Sequence, residues 1–262
     1  MLAEVAGSSL EPSHISTPLR ATLHRTEFIR GRVTAVDLEN NTVSLDSGNG
    51  AESCKSELPY DHLVFALGAV SNYLGLNNVQ RLAFDFKSLI DAIRIRNHVI
   101  EMFERADREG DLETRKRLLT FVVAGGGFAG VELAGAMNDF VRGILADYPN
   151  LRADDVRVVL VHSRDRILPE LSESLGRYAQ KRMEMRGVEF RLNTRLTDAR
   201  EDVVVLSDGE IPAETLVWTA GTGPNPLTKS LPIEKDKRGA FACFLRHGSS
   251  EPQHLDAGIV VV

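Results

Sequence analysis

A chain of 262 residues can hold two modest domains or one large one, and 43% hydrophobic content is ordinary for a soluble globular protein. A net charge of −6 offers no basic surface for nucleic acid. No apolar run approaches the ~18–20 residues of a membrane-crossing helix, and MLAEVAGSSLEPSH lacks the basic and apolar regions of a secretory signal. Cys54 and Cys243 form no CxxC or CxxxxC pair, so they read as unpaired thiols in a reducing, cytoplasmic setting with no metal site.

Residues 1–20 are small, polar and proline-bearing, and read as loop. Phe28–Leu45 alternates apolar residues around Glu39-Asn40-Asn41, the pattern of a β-hairpin. Ser47–Lys55 is a polar turn. Leu63–Leu67 (LVFAL), running into Gly68, reads as a short buried strand whose end could meet a ligand. From Ser88 to Glu109 apolar residues recur at helical spacing. The basic patch Arg115-Lys116-Arg117 then reads as a solvated helix end rather than a binding surface.

The centre of the chain is LLTFVVAGGGFAGVELAGA, residues 118–136. Leu118 to Ala124 is a near-continuous apolar and β-branched run, as in a strand buried on both faces. Gly125, Gly127 and Gly130 follow in G-x-G-x-x-G spacing, and Phe128-Ala129-Gly130-Val131-Glu132 opens a helix. The first glycine permits the tight turn, the second lets backbone approach a pyrophosphate, and the third lets helix and strand pack closely. The pattern points to dinucleotide binding, against the plainer alternative of a glycine-rich turn. Further on, a helix runs to Leu145, Val156–Val161 is a buried strand, Leu175–Arg186 a helix, and Val188–Leu192, Val203–Leu206 and Thr215–Thr219 are strands. Strands alternating with helices predict an α/β fold with a doubly wound parallel sheet.

The motifs VVAGGGFAGVELAG, VVLVHSRDRILPEL, RGVEFRLNTR, LSDGE and VWTAGTGPNPL come in the order found in two-dinucleotide-binding flavoproteins. Together with PLRATLH, GRVTAVDLENNTV and LPYDHLVFALGA upstream, they make residues 4–239 resemble the type II NADH dehydrogenases. That resemblance implies a Rossmann-like fold in which a NAD(P)-binding domain, residues 85–218, is inserted in a partial FAD-binding domain, residues 1–84 and 219–262. It implies NADH and FAD as cofactors, hydride transfer from nicotinamide to flavin, and electrons passed on to a quinone in a respiratory chain. Full-length members associate peripherally with the cytoplasmic face of the membrane, and a homodimer is compatible with the family.

By the same resemblance Gly125, Gly127, Phe128, Ala129 and Gly130 form the NADH pyrophosphate turn. Glu132 matches a family glutamate near nicotinamide and flavin and is the candidate catalytic residue, with an ordinary first-turn glutamate favoured by the helix dipole as the alternative. Thr219, Ala220 and Gly221 place small residues where the cofactor crosses the sheet end. Val33 and the strand end Ala66, Leu67 and Gly68 border FAD, with Leu67 replacing the usual threonine.

Two departures stand out. The strand ending at Val161 lacks the expected acid and shows His162-Ser163-Arg164, with Arg166 beyond and Asp165 close by. An arginine beside a serine could take a 2′-phosphate, so NADPH stands beside the favoured NADH, whose ribose His162, Ser163 or Asp165 would bond. The family's opening glycine turn for FAD and its closing Gly-Asp motif are also missing, and the tail from Ala240 is atypical. These features suggest a fragment truncated at both ends, with a tail that is poorly ordered or docked away from FAD. The competing functions are a NAD(H)-binding module without turnover and a ferredoxin- or rubredoxin-type reductase. The lack of CxxxxC speaks against a disulfide reductase, although that motif lies near the missing part.

Overall fold

The computed structural model describes residues 1–48, 55–237, 239–241 and 258–261. Cys54, Cys243 and most of the atypical tail lie outside the described residues. In chain order the elements are α1 (Leu2–Ala6), α2 (Leu19–Thr22), β1 (Arg32–Asp37), β2 (Thr42–Asp46), β3 (Lys55–Pro59), β4 (His62–Phe65), β5 (Ala69–Ser71), α3 (Asn77–Leu82) and β6 (Phe84–Asp85). They continue with α4 (Leu89–Arg108), α5 (Leu112–Leu118), β7 (Thr120–Ala124), α6 (Phe128–Ile144), β8 (Arg157–Val161), α7 (Glu173–Glu184) and β9 (Val188–Arg191). The last are β10 (Leu196–Arg200), β11 (Val203–Leu206), β12 (Gly209–Pro212), β13 (Thr215–Trp218), β14 (Thr222–Pro224) and β15 (Gly258–Val261). The chain divides into two compact units, one of residues 1–16 and 71–222, the other of residues 17–70 and 223–262.

The first unit is built on a five-stranded sheet in the order β6-β13-β7-β8-β9. Its neighbours are all parallel. All five residues of β7 and all four of β13 are buried, as their unbroken apolar and β-branched composition demands. On one face Phe121, Val123, Val158, Leu160 and Val217 pack with Ile95, Val99 and Phe103 of α4 and Leu133 and Met137 of α6. On the other, Val122, Val159, Leu216 and Trp218 meet Val204, Leu206 and Ile211 of the antiparallel sheet β10-β11-β12 and Val79 of α3. The doubly wound expectation is thereby corrected: long helices cover one face and a small antiparallel sheet covers most of the other. Strands β10 and β12 are short and half polar, so no apolar run marked them.

Local chemistry explains the helix ends. Ser88 caps α4, accepting from the Asp91 N–H at 3.2 Å, while the Asp91 carboxylate accepts the Ser88 N–H at 2.8 Å. Asp111 caps α5 by accepting from the Thr114 N–H at 2.8 Å. The basic patch is the end of α5, where Arg117 bonds Glu214 at 3.1 Å and Lys116 bonds Glu113 at 3.1 Å. Leu118 and Leu119 close that helix rather than opening β7. The amino terminus is not the expected loop: α1 buries Ala3, Val5 and Ala6 in the core that α4 and α6 line.

The second unit contains the antiparallel sheet β1-β2-β3 and the parallel pair β4-β15. The hairpin of β1 and β2 turns at Asn41, whose φ of 52° an asparagine tolerates. The strand read as buried, β4, instead alternates exposed and half-buried residues, with Val64 50% exposed. Its composition is that of a covered strand, but composition cannot show which neighbours are present. Gly258–Val261 pair in register with His62–Phe65. That end of the tail is docked as a strand, one of the two expected alternatives, and its β-branched run Ile259-Val260-Val261 suits it to pairing.

Candidate functional site

The carboxyl ends of four strands in the first unit form one rim, with Trp218 level with Ala124, Ala124 with Val161, and Val161 with Arg191. Ligands of open parallel sheets bind beyond such a rim. From it, Gly125 turns with φ of 124°, a conformation open to glycine, and its N–H donates to the Val161 carbonyl at 2.9 Å. A methyl group at Gly130 would run into the Gly125 carbonyl and lie 2.6 Å from the Thr219 hydroxyl oxygen. Thr219 seals the turn, its hydroxyl donating to the Ala124 carbonyl at 2.9 Å and its N–H to the same oxygen at 2.8 Å. Gly130 thus brings α6 against the strand, and Thr219 locks both.

Gly127 behaves differently. It is the N-cap of α6 with φ of −78°, and a methyl there would meet only the Glu170 carboxylate, 4.0 Å away. The space before it is open, and it supplies no side-chain cap to the helix. Phe128 and Ala129 follow it exposed. A helix start with uncapped N–H groups and open backbone is suited to an anionic oxygen. Glu132 lies further along α6, exposed and in the second turn, since the first turn holds no acid. The dipole-favoured first-turn reading of Glu132 is therefore corrected.

His162 follows β8 directly. Its Nδ1 accepts the Gly126 N–H at 3.1 Å, its backbone N–H donates to the Arg191 carbonyl at 2.9 Å, and its ring Nε2 is buried without a partner among the described residues. Burial foremost, then the Arg164 guanidinium, holds the imidazole below its ordinary pKa, against the opposing pull of Glu170 and Asp165. Ser163, Arg164 and Asp165 are exposed beside it. Arg166 is occupied by its own loop, donating to the Leu171 carbonyl at 3.0 Å and the Pro169 carbonyl at 3.2 Å. Of the two arginines, Arg164 is the one exposed to a ligand.

Sequence reasoning missed the loop that closes over the turn. Leu168 takes a φ of 50° and donates its N–H to the Gly126 carbonyl at 2.7 Å. A leucine held in the left-handed region costs about 1–2 kcal/mol, so the surrounding bonds must impose it. Glu170, two residues on, brings a carboxylate oxygen 4.0 Å from where a methyl at Gly127 would lie. No local pattern signals either contact.

Ala220 is exposed, while Gly221 is half-buried and so close to Asn72 that a methyl would lie 2.6 Å from that residue's carbonyl oxygen. The same carbonyl accepts the Trp218 indole N–H at 3.1 Å. The first unit therefore gathers Gly125–Gly130, His162–Arg164 and Thr219–Gly221 at one rim, with Glu132 on the helix that leaves it. The remaining candidates belong to the second unit: Val33 half-buried on β1, and Ala66–Gly68 after β4. There the Leu67 carbonyl accepts from Asn225 at 3.4 Å, and Gly68 has φ of 61° with nothing within 4 Å of an added methyl.

A pyridine nucleotide fits the first rim, which has a cradle that a Cβ would fill, open backbone at Gly127 and an orphaned donor on His162. For FAD the fit is incomplete. The strand end at Ala66–Gly68 offers open backbone but no comparable phosphate cradle among the described residues.

A parallel sheet with a sealed glycine turn at its rim is the frame of an α/β nucleotide-binding fold, and the chain belongs to the pyridine nucleotide-disulphide oxidoreductase family, whose model matches residues 2–244. It is 34% identical to a probable NADH dehydrogenase of Dictyostelium discoideum over 90% of this chain and 53% of that protein. It is 30% identical to the type II NADH:quinone oxidoreductase Ndh of Mycobacterium tuberculosis over 91% of this chain and 54% of that one. The fold matches NDH2 from Plasmodium falciparum, solved in complex with NADH, with a TM-score of 0.80 and 19% identity over 88% of this chain and 50% of that one. The chain spans about half the length of the curated relatives it matches. Among the described residues no helix is long and apolar enough to cross a membrane.

Proposed function

We propose that the chain binds NADH by its pyrophosphate at the Gly125–Gly130 turn, as the pyridine-nucleotide part of an FAD-dependent NADH:quinone oxidoreductase. The sealed cradle of Gly125, Gly130 and Thr219, with Gly127 left open, is the observation that carries the reading. His162, Ser163 and Arg164 lie where the adenosine ribose would sit, with NADPH as a second coenzyme, and Glu132 and Thr219–Gly221 toward the nicotinamide. The NAD(P)-binding domain is residues 85–218, and 1–84 with 219–262 belong to the flavin-binding part, where Val33 and Ala66–Gly68 border the ring. FAD, when bound, supplies an acceptor for hydride and a route for electrons to the quinone, while protein groups orient and insulate. The relatives named for quinone reduction support a quinone as acceptor, and family resemblance is what supports a membrane surface at its cytoplasmic face as the working place, and a homodimer.

A second reading, a NAD(H)-binding module without turnover, rests on the same sealed turn of the first unit. Both readings share one test. Gly127→Val has room in the fold but fills the approach to the backbone, so NADH affinity by calorimetry should fall at least ~tenfold, or ~1.4 kcal/mol. Unchanged affinity would remove the turn from the site. Flavin absorbance in the purified protein and NADH oxidation with quinone or ferredoxin-type acceptors then separate enzyme from module, and one acceptor class from the other.

A further inference from the structure

Where a strand end usually presents a fixed carboxylate to the adenosine ribose, this chain presents a group that titrates. The neutral His162 ring must carry its proton on Nε2, because Nδ1 accepts the Gly126 N–H at 3.1 Å. The ring is pressed on the turn, since a methyl at Gly126 would lie 2.7 Å from its Cγ and 2.9 Å from its Cδ2. Around it stand Arg164, Asp165 and Glu170 from the following loop, and Arg191 at the end of β9, which is paired with Asp208 at 2.7 Å. Arg164 is exposed and makes no ion pair among the described residues.

We propose that His162 makes the preference between NADH and NADPH depend on protons: its cationic form favours the 2′-phosphorylated coenzyme and its neutral form does not. This rests on the glycine turn being the coenzyme site. An added proton has two effects. It puts a donor on Nδ1 where the Gly126 N–H already points, which loosens the turn for both coenzymes alike. It also adds a positive charge beside Arg164, which acts on a 2′-phosphate and hardly on a ribose hydroxyl. The first effect cancels in the ratio of the two affinities, so the ratio isolates the second. Burial holds the ring's titration below the ordinary histidine value, so the change falls on the acid side of neutrality.

The test is calorimetric binding of NADH and NADPH to the intact chain and to His162→Asn across ~pH 5 to 8. Asparagine can still accept the Gly126 N–H but takes up no proton. In the wild type the preference for NADPH should rise about fivefold toward acid, the size expected of one charge near a phosphate at a partly screened site. In His162→Asn it should stay level or fall, because the 2′-phosphate itself loses charge. Ring nitrogen shifts in the free chain should show the proton on Nε2, and NADPH should raise the titration midpoint of His162 more than NADH does. A wild-type ratio that tracks the variant's, or a proton on Nδ1, would overturn the inference. Failure of either coenzyme to bind at any pH would instead overturn the coenzyme-site reading beneath it.

Discussion

The two units use similar apolar strands to opposite ends. In the first, β7 and β13 are covered on both faces, and the rim they end in is held by Thr219, His162 and Leu168. In the second, β4 has alternating exposed residues, and Gly68 turns in open space. Placing a pyrophosphate requires backbone fixed to a fraction of an ångström, and only a fully packed sheet supplies that. The glycine turn is therefore fixed in place by the core beneath it, not by its glycines alone.

The contrast breaks most sharply at a core side chain. Phe121 is fully buried between the sheet and Phe103, whose ring lies 6.2 Å away and nearly parallel. Phe121→Ala should cost about 3–5 kcal/mol, whereas Val64→Ala in the second unit should cost no more than about 0.5 kcal/mol. Circular dichroism during urea unfolding reads both units, and the fluorescence of Trp218, the single tryptophan, buried in the first, reports that unit separately. Equal costs for the two substitutions would show that β4 is covered after all.

A smaller version uses one chemical change at two glycines. Gly130→Ala drives a methyl toward the Gly125 carbonyl and should cost about 2–3 kcal/mol, by displacing α6 from the strand. Gly68→Ala meets nothing and bears only the strain of its positive φ, about 1 kcal/mol. If thermal unfolding ranked them the other way, close packing would not be what the third glycine of the motif provides.

Much of this was legible before the structure. The run from Leu118, the glycine spacing and the helix after it locate the turn, because a strand buried on both faces and a helix packed on it leave strong periodic marks. The long helix α4 and strand β11 were legible for the same reason. What stayed hidden depends on neighbours distant in sequence. Five residues are too few for α1 to show a period, yet Gly7 sits so close to α6 that a methyl would lie 2.8 Å from the Ala136 carbonyl. The left-handed Leu168 and the tautomer of His162 follow from tertiary bonds to Gly126, and nothing in LPEL or VHSR announces them. Exposure of β4 was misread because its apolar letters describe a surface, not what covers it.

Acid sensitivity sharpens the comparison next. His98 lies on α4, its Nε2 2.9 Å from the Thr215 hydroxyl and its ring 4.6 Å from Phe84. Burial, the largest cause, holds its pKa below the ordinary value, with Arg105 acting in the same sense and Glu101 and Glu214 opposing. The sign follows directly. Below ~pH 6.5 the unfolded chain binds a proton that the folded chain refuses, so stability declines as pH falls until the folded pKa is reached. His98→Leu should lose about 1 kcal/mol at pH 8 by stranding Thr215, and should flatten the acid decline read by Trp218 fluorescence. A decline as steep as the wild type's would assign it to other groups.

The smallest effect tests whether the outer edge of the parallel sheet shares the rigidity of its centre. Arg157 on β8 and Glu189 on β9 form a two-pronged pair, Nε to Oε1 at 2.8 Å and Nη2 to Oε2 at 2.7 Å. The side chains are 39% and 46% exposed, so water screens the attraction and it cannot count as a buried pair. The hydrogen bond from Arg157 is the main reason Glu189 titrates below its ordinary value, and the bond to Glu189 raises Arg157. For a carboxylate with a lowered folded pKa, the stabilisation is present above the unfolded pKa and is lost as pH falls through the folded one. A double-mutant cycle of Arg157→Ala and Glu189→Ala should return a coupling of about 0.5–1 kcal/mol at pH 7. It should shrink in high salt and vanish in acid. A coupling several times larger, or one indifferent to salt, would mean that the β8–β9 edge is as enclosed as β7, and that the packed region extends beneath His162 to the last strand of the sheet.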